Sequence, residues 1–313
     1  MVATHKIPKA TFEKRGSCIS CGSNNFETLW AGSLDAPEVM GRLLESKYSG
    51  DLTVLAGSPF RLVRCNDCRV KFHQYHLTDE WLGVLYSDWI DEAQIDAFEK
   101  GILAKDKHRK GFELSRQYMK HVLRLSQLIN TDGTESPTLL DFGCGDGEFL
   151  RLAHLFKFNC FGVDFSASRA RRAEAGGVQI YGDLEQLKGV HQGSFQAITI
   201  FQTLEHLVEP KQTICEISHL LAAGGILIVD VPDCTSLTVP STSEEFHKLH
   251  PLEHLNCFTP DSLRKLVEKQ GFTAIPIPPA HVTTRFSDLI RTEISRFVHP
   301  KKTTMYFRKT GQS

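Results

Sequence analysis

The sequence predicts an α/β protein: a doubly wound, seven-stranded, mostly parallel sheet preceded by a small zinc-ribbon-like domain. Three observations lead there. From Thr138 onward, short apolar runs alternate with segments of helical period, the pattern of strands buried on both faces between covering helices. A turn containing Gly143, Gly145 and Gly147 joins the first of those runs to the next helix. Near the N-terminus two Cys-x-x-Cys pairs, Cys18 with Cys21 and Cys65 with Cys68, have the spacing of metal knuckles.

Composition sets the limits. The 313 residues, 41% hydrophobic and 23% charged, suffice for one large core and a smaller satellite. A formal net charge of −1 gives no reason to expect a polyanionic partner. Residues 1–75 hold ten Lys/Arg against seven Asp/Glu, a slight surplus without the basic, aromatic-laced patches of nucleic-acid binders. The opening MVATHKIPKATFEKRG lacks an apolar stretch of signal length, and no window approaches the roughly 20 apolar residues that cross a bilayer. The expected location is therefore the cytoplasm, away from membranes.

Nine cysteines in a reducing compartment serve as thiols or metal ligands rather than as disulfides. Cys144, Cys160, Cys215, Cys234 and Cys257 are scattered singly, which leaves Cys18, Cys21, Cys65 and Cys68 as the ligand set. Residues 1–76 read as a zinc-binding domain: a knuckle at SCISCGS, an insert with a short helix, a strand at FRLVRC and a second knuckle at CNDC. Residues 17–73 offer too little core of their own, so structural zinc is expected to supply the missing stabilisation. The competing redox reading wants one such pair at a helix start, not two in a ribbon.

Residues 77–136 read as amphipathic helices forming a linker or lid. Trp30, Trp81, Trp89 and Tyr86 are expected to pack ribbon and helices onto the domain that follows. NTDGTESP, ending in Pro137, marks its entrance. Within residues 137–313 the strands are TLLDF, NCFGVDF, VQIYGD, FQAITIF and GGILIVDVP, with helices between them and a further helix from Thr259, Pro260 occupying its first position. FTAIPIP and TTMYFRK, on either side of RFSDLIRTEISRFV, complete the sheet as an antiparallel edge.

The strand–glycine–helix segment Asp141-Phe142-Gly143-Cys144-Gly145-Asp146-Gly147 lets the backbone approach a nucleotide-like ligand without Cβ obstruction. A dinucleotide enzyme would use similar geometry. The segment resembles motif I of class I S-adenosylmethionine-dependent methyltransferases, D-x-G-x-G-x-G, at every position. That resemblance implies a donor cradled by Asp141, Gly143, Cys144, Gly145 and Gly147, with Asp164 on the ribose hydroxyls and Phe165 beside it. It places Asp183 on the adenine amino group with Leu184 next to it, and has the Phe201–Leu207 segment, Gln202 included, face the donor. Asp141, Asp164 and Asp183 form an acidic rim that suits a cationic sulfonium and would repel a pyrophosphate. An aspartate after a strand is also a common helix cap, and Asp183 alone would be read so.

Methyl transfer from a sulfonium needs alignment of the nucleophile and removal of its proton. His254, in His250-Pro251-Leu252-Glu253-His254, is the first candidate for the base, with Glu253 orienting it and His206 and His250 as secondary candidates. The competing reading packs His254 against the helix from Thr259. The segment is similar to E-H-x-x-Y-F-S of sugar C-methyltransferases with an N-terminal four-cysteine zinc unit, except that Cys257 replaces the aromatic and the large C-terminal domain of that family is absent. Glu205, His206 and His254 also match metal-assisted O-methyltransferases, but Gln202 replaces the first glutamate and removes a hard ligand that Mg²⁺ favours. The expectation is methylation of O, C or N on a small-molecule, biosynthetic or sugar-like substrate. A zinc-finger-containing RNA methyltransferase and a non-catalytic scaffold are the alternatives.

Overall fold

The computed structural model describes residues 8–90, 107–129, 135–282 and 303–311. The chain divides into two compact units, Met1–Lys107 with Cys234–Cys257, and His108–Asp233 with Phe258–Ser313. Residues 234–257, expected within the C-terminal domain, thus belong with the N-terminal one.

The first unit opens with strands β1 (Phe12–Lys14) and β2 (Phe26–Ser33), helix α1 (Pro37–Leu44), strands β3 (Pro59–Cys65), β4 (Lys71–His73) and β5 (Tyr75–Leu77), helix α2 (Asp79–Val84) and a π-helical turn, Leu85–Trp89. β3 pairs antiparallel with both β2 and β4, so the second cysteine knuckle is the turn between β3 and β4.

The second unit begins with α3 (Lys107–Leu128) and then alternates β6 (Thr138–Phe142), α4 (Glu148–Leu155), β7 (Asn159–Val163), α5 (Ala167–Ala175), β8 (Gln179–Tyr181), α6 (Glu185–Lys188), β9 (Phe195–Phe201), α7 (Pro210–Leu220) and β10 (Leu221–Asp230). The chain then contributes α8 (Ser243–Lys248) and β11 (Asn256–Cys257) to the first unit, and returns for α9 (Pro260–Glu268), β12 (Phe272–Ile275) and β13 (Thr304–Lys309).

The large sheet has the order β12-β13-β10-β9-β6-β7-β8, parallel except for β13, which runs antiparallel between β12 and β10. This is the seven-stranded, doubly wound sheet that the alternating pattern predicts. Its central strands are apolar on both faces because helices cover both: six of the seven β9 residues are buried. On α3, Val122 and Leu125 are fully buried against Leu139, Phe149, Phe201 and Tyr306, each such side chain contributing about 1.5–3 kcal/mol of transfer free energy. α9 starts as expected, Thr259 and Ser262 exchanging side-chain and main-chain hydrogen bonds around Pro260. The expected helix RFSDLIRTEISRFV lies outside the described residues. Among the described residues no helix is long and apolar enough to cross a membrane.

The first unit has more core than its knuckle segments suggest. Leu34, Val39, Leu43, Leu55, Trp81, Leu85 and Trp89 pack with Phe246 and Leu252 from the returning segment. Trp30, Trp81 and Trp89 therefore belong to this unit's own core, correcting the expectation that they pack onto the other domain. Two buried cations bind the ends of the returning segment. Lys71 Nζ donates to the carbonyls of Cys234 at 2.7 Å, Thr235 at 3.1 Å and Leu237 at 2.6 Å. Arg15 Nη1 donates to the carbonyls of His73 and Leu255 at 3.3 Å and to Asn256 Oδ1 at 3.1 Å. β11 adds a strand to β4. None of these partners is local in sequence, which is why helical and strand periodicity alone assigns residues 234–257 elsewhere.

Candidate functional site

β6 delivers Asp141 and Phe142 to a turn in which Gly143, Gly145 and Gly147 all have left-handed backbones, with φ of 80°, 54° and 73°. The first and second of these glycines are needed for different reasons. A Cβ on Gly143 would lie 2.0 Å from Thr203 Oγ1, and that hydroxyl is fixed by donating to the Phe201 carbonyl at 3.0 Å. A Cβ on Gly145 would meet nothing nearer than Arg169 Nη1 at 3.9 Å. The outer face of the turn is an open cradle that a side chain would fill.

The turn is tied to β7. Gly143 and Cys144 N–H groups donate to the Val163 carbonyl at 2.8 and 3.1 Å. Asp164, the next residue, accepts the Gly145 N–H on Oδ2 at 2.8 Å and the Ser166 N–H on Oδ1 at 2.9 Å. Each carboxylate oxygen has two lone pairs, so this anchoring leaves acceptor capacity for ligand hydroxyls. Phe165 is 64% exposed, its ring edge-on to Phe142 at 5.9 Å between centroids. Such an exposed aromatic beside the cradle offers a flat apolar surface.

Asp141 is buried, and burial raises its carboxyl to about 7; neighbouring Asp164 pushes in the same direction, while the Thr199 hydroxyl, donating to Asp141 Oδ1 at 2.6 Å, opposes it. A cation brought to the turn would favour its ionised form. Cys144 Sγ lies inward, 2.6 Å from where a Cβ on Gly162 would sit, and burial followed by the Asp141 and Asp164 charges pushes its thiol up. The thiol also points at the Gly145 carbonyl, 3.8 Å away. Asp183 Oδ1 accepts the Gln186 N–H at 3.0 Å, capping α6, with Leu184 buried behind it. Gln202 holds a left-handed φ of 48° and donates from its main chain to the Asp230 carbonyl at 2.8 Å and from Nε2 to Asp230 Oδ2 at 3.1 Å. The segment after β9 continues as a tight turn carrying Glu205, which is buried, and His206.

Thr203, within the segment expected to face the donor, shapes this crevice together with Thr199 and Asp230, which no motif marks. The only signal of these two in the sequence is that each stands at or near the C-terminal end of a strand, where open α/β sheets bind ligands. A recess of about 610 Å³ lies elsewhere, beside the starts of β7 and β8 where Asn159 and Gln179 sit. None of its lining residues belongs to the glycine turn.

In the first unit the structure brings together the four predicted cysteines, all Sγ atoms within 4.8 Å of one another. Cys18 and Cys68 Sγ are 3.5 Å apart, Cys21 and Cys65 Sγ 3.6 Å. The two knuckles share one geometry. Gly22 N–H donates to Cys18 O and Arg69 N–H to Cys65 O, both at 3.0 Å, with left-handed φ of 78° at Gly22 and 68° at Arg69.

His254 lies in the returning segment of the same unit, half-buried, its Nδ1 3.4 Å from the Lys248 carbonyl. Glu205 and His206 belong to the second unit. The Glu253 carboxylate is buried and held by Tyr48 Oη at 2.6 Å and Lys47 Nζ at 2.9 Å. These partners give it a structural role in the first unit. His250, also buried, sits with Nε2 3.2 Å from Tyr48 Oη, and burial pushes it down to about 3. A proton affinity lowered in this way makes it a weak base, and it is enclosed by first-unit side chains.

Comparison with known proteins identifies the family. Residues 108–277 match a family described as "Methyltransferase domain". The ubiquinone biosynthesis O-methyltransferase of Aromatoleum aromaticum is 27% identical over 110 residues, covering 33% of this chain and 47% of that protein. The chain thus spans about half the length of that relative. The protein of the same name from Cupriavidus pinatubonensis is 22% identical over 220 residues, 64% of this chain and 88% of that one. Among solved structures, the complex of the Haloferax volcanii Trm112 methyltransferase activator with a methyltransferase aligns over 67% of this chain and 97% of that chain, with 18% identity and a TM-score of 0.46. A SAM-dependent methyltransferase from Archaeoglobus fulgidus aligns over 65% and 100%, with 19% identity and a TM-score of 0.43. The family match starts where the second unit starts and covers more than half of the chain, so the chain belongs to the methyltransferase domain family.

Proposed function

We propose that this enzyme methylates a hydroxyl group of a small organic molecule, with the donor held at the glycine turn and His254 as general base. The observation that carries the donor site is the open face of Gly145 beside Asp164, whose carboxylate is already oriented by two N–H groups. In this reading the main chain of Gly143, Cys144, Gly145 and Gly147 lines the donor, Asp164 accepts from its ribose hydroxyls, and Phe165 and Leu184 flank its base. Asp183 keeps one carboxylate oxygen for the α6 cap and offers the other to the adenine amino group. Gln202 and Asp141 face the methionyl end. When bound, the donor supplies an electrophilic methyl group on a positively charged sulfur.

The protein's remaining tasks are to align the acceptor and to take its proton. His254 suits the second task because a histidine titrates near neutrality. His206 is the second candidate. A small-molecule hydroxyl is favoured by the two relatives named as ubiquinone biosynthesis O-methyltransferases.

The four cysteines are proposed to hold one structural zinc. Tetrahedral Zn–S bonds of about 2.3 Å place sulfurs about 3.8 Å apart, and the observed separations of 3.5 and 3.6 Å require only a small adjustment. Four thiolates close the coordination sphere, so the metal stabilises rather than reacts. Such thiols persist in a reducing compartment, which suits a cytoplasmic enzyme.

The test is a panel of hydroxylated aromatic and sugar acceptors, with RNA alongside, incubated with methyl-labelled donor. Label on an oxygen of a small acceptor is expected, with His254→Asn lowering kcat by about 10²–10⁴ and leaving S-adenosylhomocysteine affinity unchanged. Label confined to RNA, or full turnover by His254→Asn, would overturn the reading.

A further inference from the structure

Ser115, Tyr118 and His121 lie three residues apart along one face of α3. Ser115 Oγ donates to Glu148 Oε1 at 3.0 Å, pinning the helix to the start of α4 just past the glycine turn. His121 Nδ1 lies 2.6 Å from Tyr306 Oη, and its ring is 4.9 Å from Phe201. Tyr118 stands between these two anchors. Its ring stacks on Phe201 at 5.8 Å with an interplanar angle of 29° and tilts against Phe149 at 5.5 Å. Phe149 is in the first turn of α4 and Phe201 is the last residue of β9. The tyrosine is thereby wedged between the helix that leaves the glycine turn and the strand tip that leads into Gln202.

Ser115 and His121 use their polar atoms on the protein, but the Tyr118 hydroxyl makes no hydrogen bond among the described residues. Packing alone would be served equally by phenylalanine. The surroundings are anionic: burial, then the carboxylates of Asp141, Glu148 and Asp230, push the phenol up, so it stays neutral and keeps its proton. A neutral phenol has an oxygen lone pair and an electron-rich ring, and both attract a cation.

We propose that Tyr118 is a donor-binding residue, its phenol meeting the positively charged sulfonium end of S-adenosylmethionine and distinguishing it from the uncharged thioether of the spent donor. This rests on the donor lying against the glycine turn. Tyr118 carries no proton in or out of the reaction. Its effect is on relative affinity: it favours the charged donor over S-adenosylhomocysteine and thereby assists exchange after each turnover.

Calorimetric titration of the full chain with S-adenosylmethionine, S-adenosylhomocysteine and sinefungin, whose amine replaces the sulfonium with another cation, tests this without any acceptor. Tyr118→Leu is expected to weaken both cationic ligands by about three- to tenfold while changing S-adenosylhomocysteine less than twofold. Tyr118→Phe keeps the ring and loses only a hydroxyl that makes no hydrogen bond among the described residues, so its melting temperature should match the wild type and its charged-ligand affinity should fall between the two. Equal weakening of all three ligands by Tyr118→Leu would mean a structural role and overturn the proposal, as would unchanged affinities in both variants. Failure of the unmodified protein to bind any of the three would instead refute the donor site itself.

Discussion

Asp164 Oδ2 lies 2.8 Å from the amide nitrogen of Gly145, so the acid at the tip of β7 and the open glycine of the turn after β6 are one hydrogen-bonded unit. A carboxylate placed this way positions the cradle and, in the proposed reading, also accepts from the donor's ribose. Asp164→Ala removes both functions. Charge-assisted bonds to ribose hydroxyls are worth about 1.5–3 kcal/mol each, so donor affinity should fall about ten- to a hundredfold or more. The chain should remain folded by circular dichroism. Unchanged affinity by calorimetry would remove Asp164 from the site.

Alanine at the two neighbouring glycines should separate stability from binding. At Gly143 the new methyl would collide with the anchored Thr203 hydroxyl, and the positive φ adds strain, for a loss of about 2–4 kcal/mol in denaturant unfolding. Gly145→Ala carries the φ cost of about 1–2 kcal/mol but no collision. Its methyl occupies the cradle, so donor affinity should drop at least about tenfold.

Asp141 predicts a pH dependence. Its folded value of about 7 lies above the ordinary 3.8, so between those limits the folded chain binds more protons than the unfolded one. The contribution to stability is then fully present below about pH 3.8 and is lost as pH rises through about 7. The slope is at most about 1.4 kcal/mol per pH unit. Urea unfolding from pH 4 to pH 8 should show this decline in the wild type and a flatter profile in Asp141→Asn. Identical profiles would contradict the burial-driven shift.

The metal proposal predicts one zinc per chain by elemental analysis, lost in Cys18→Ser and Cys65→Ser. All three tryptophans, Trp30, Trp81 and Trp89, pack in or against the first unit's core, so their fluorescence reports that unit alone. Chelation should red-shift the emission and lower the unit's melting temperature by about 5 °C or more. A metal-free protein with native fluorescence would show that the apolar core suffices without zinc.

Much of this architecture is written in local pattern. The β6–Gly143–α4 segment, the acids at 141, 164 and 183, and both cysteine pairs are visible because strand alternation, positive-φ glycines and ligand spacing act over a few residues. What pattern misses is pairing over long distances. Lys71 reaches carbonyls more than 160 residues away, and Phe246 completes a core begun at Leu34. Tyr118 has no motif around it, and only the approach of Phe149 and Phe201 gives it meaning. Glu253, expected beside His254, is held by Tyr48 and Lys47 from a distant insert.

The loop from Cys234 to Cys257 returns to partners made at the very start of translation. On the ribosome, the N-terminal portion must therefore wait for more than a hundred intervening residues before Lys71 and Arg15 find their carbonyls. A gene shortened to begin near His108 would leave this stretch without its mates, stripping Phe246 and Leu252 of the apolar core that buries them.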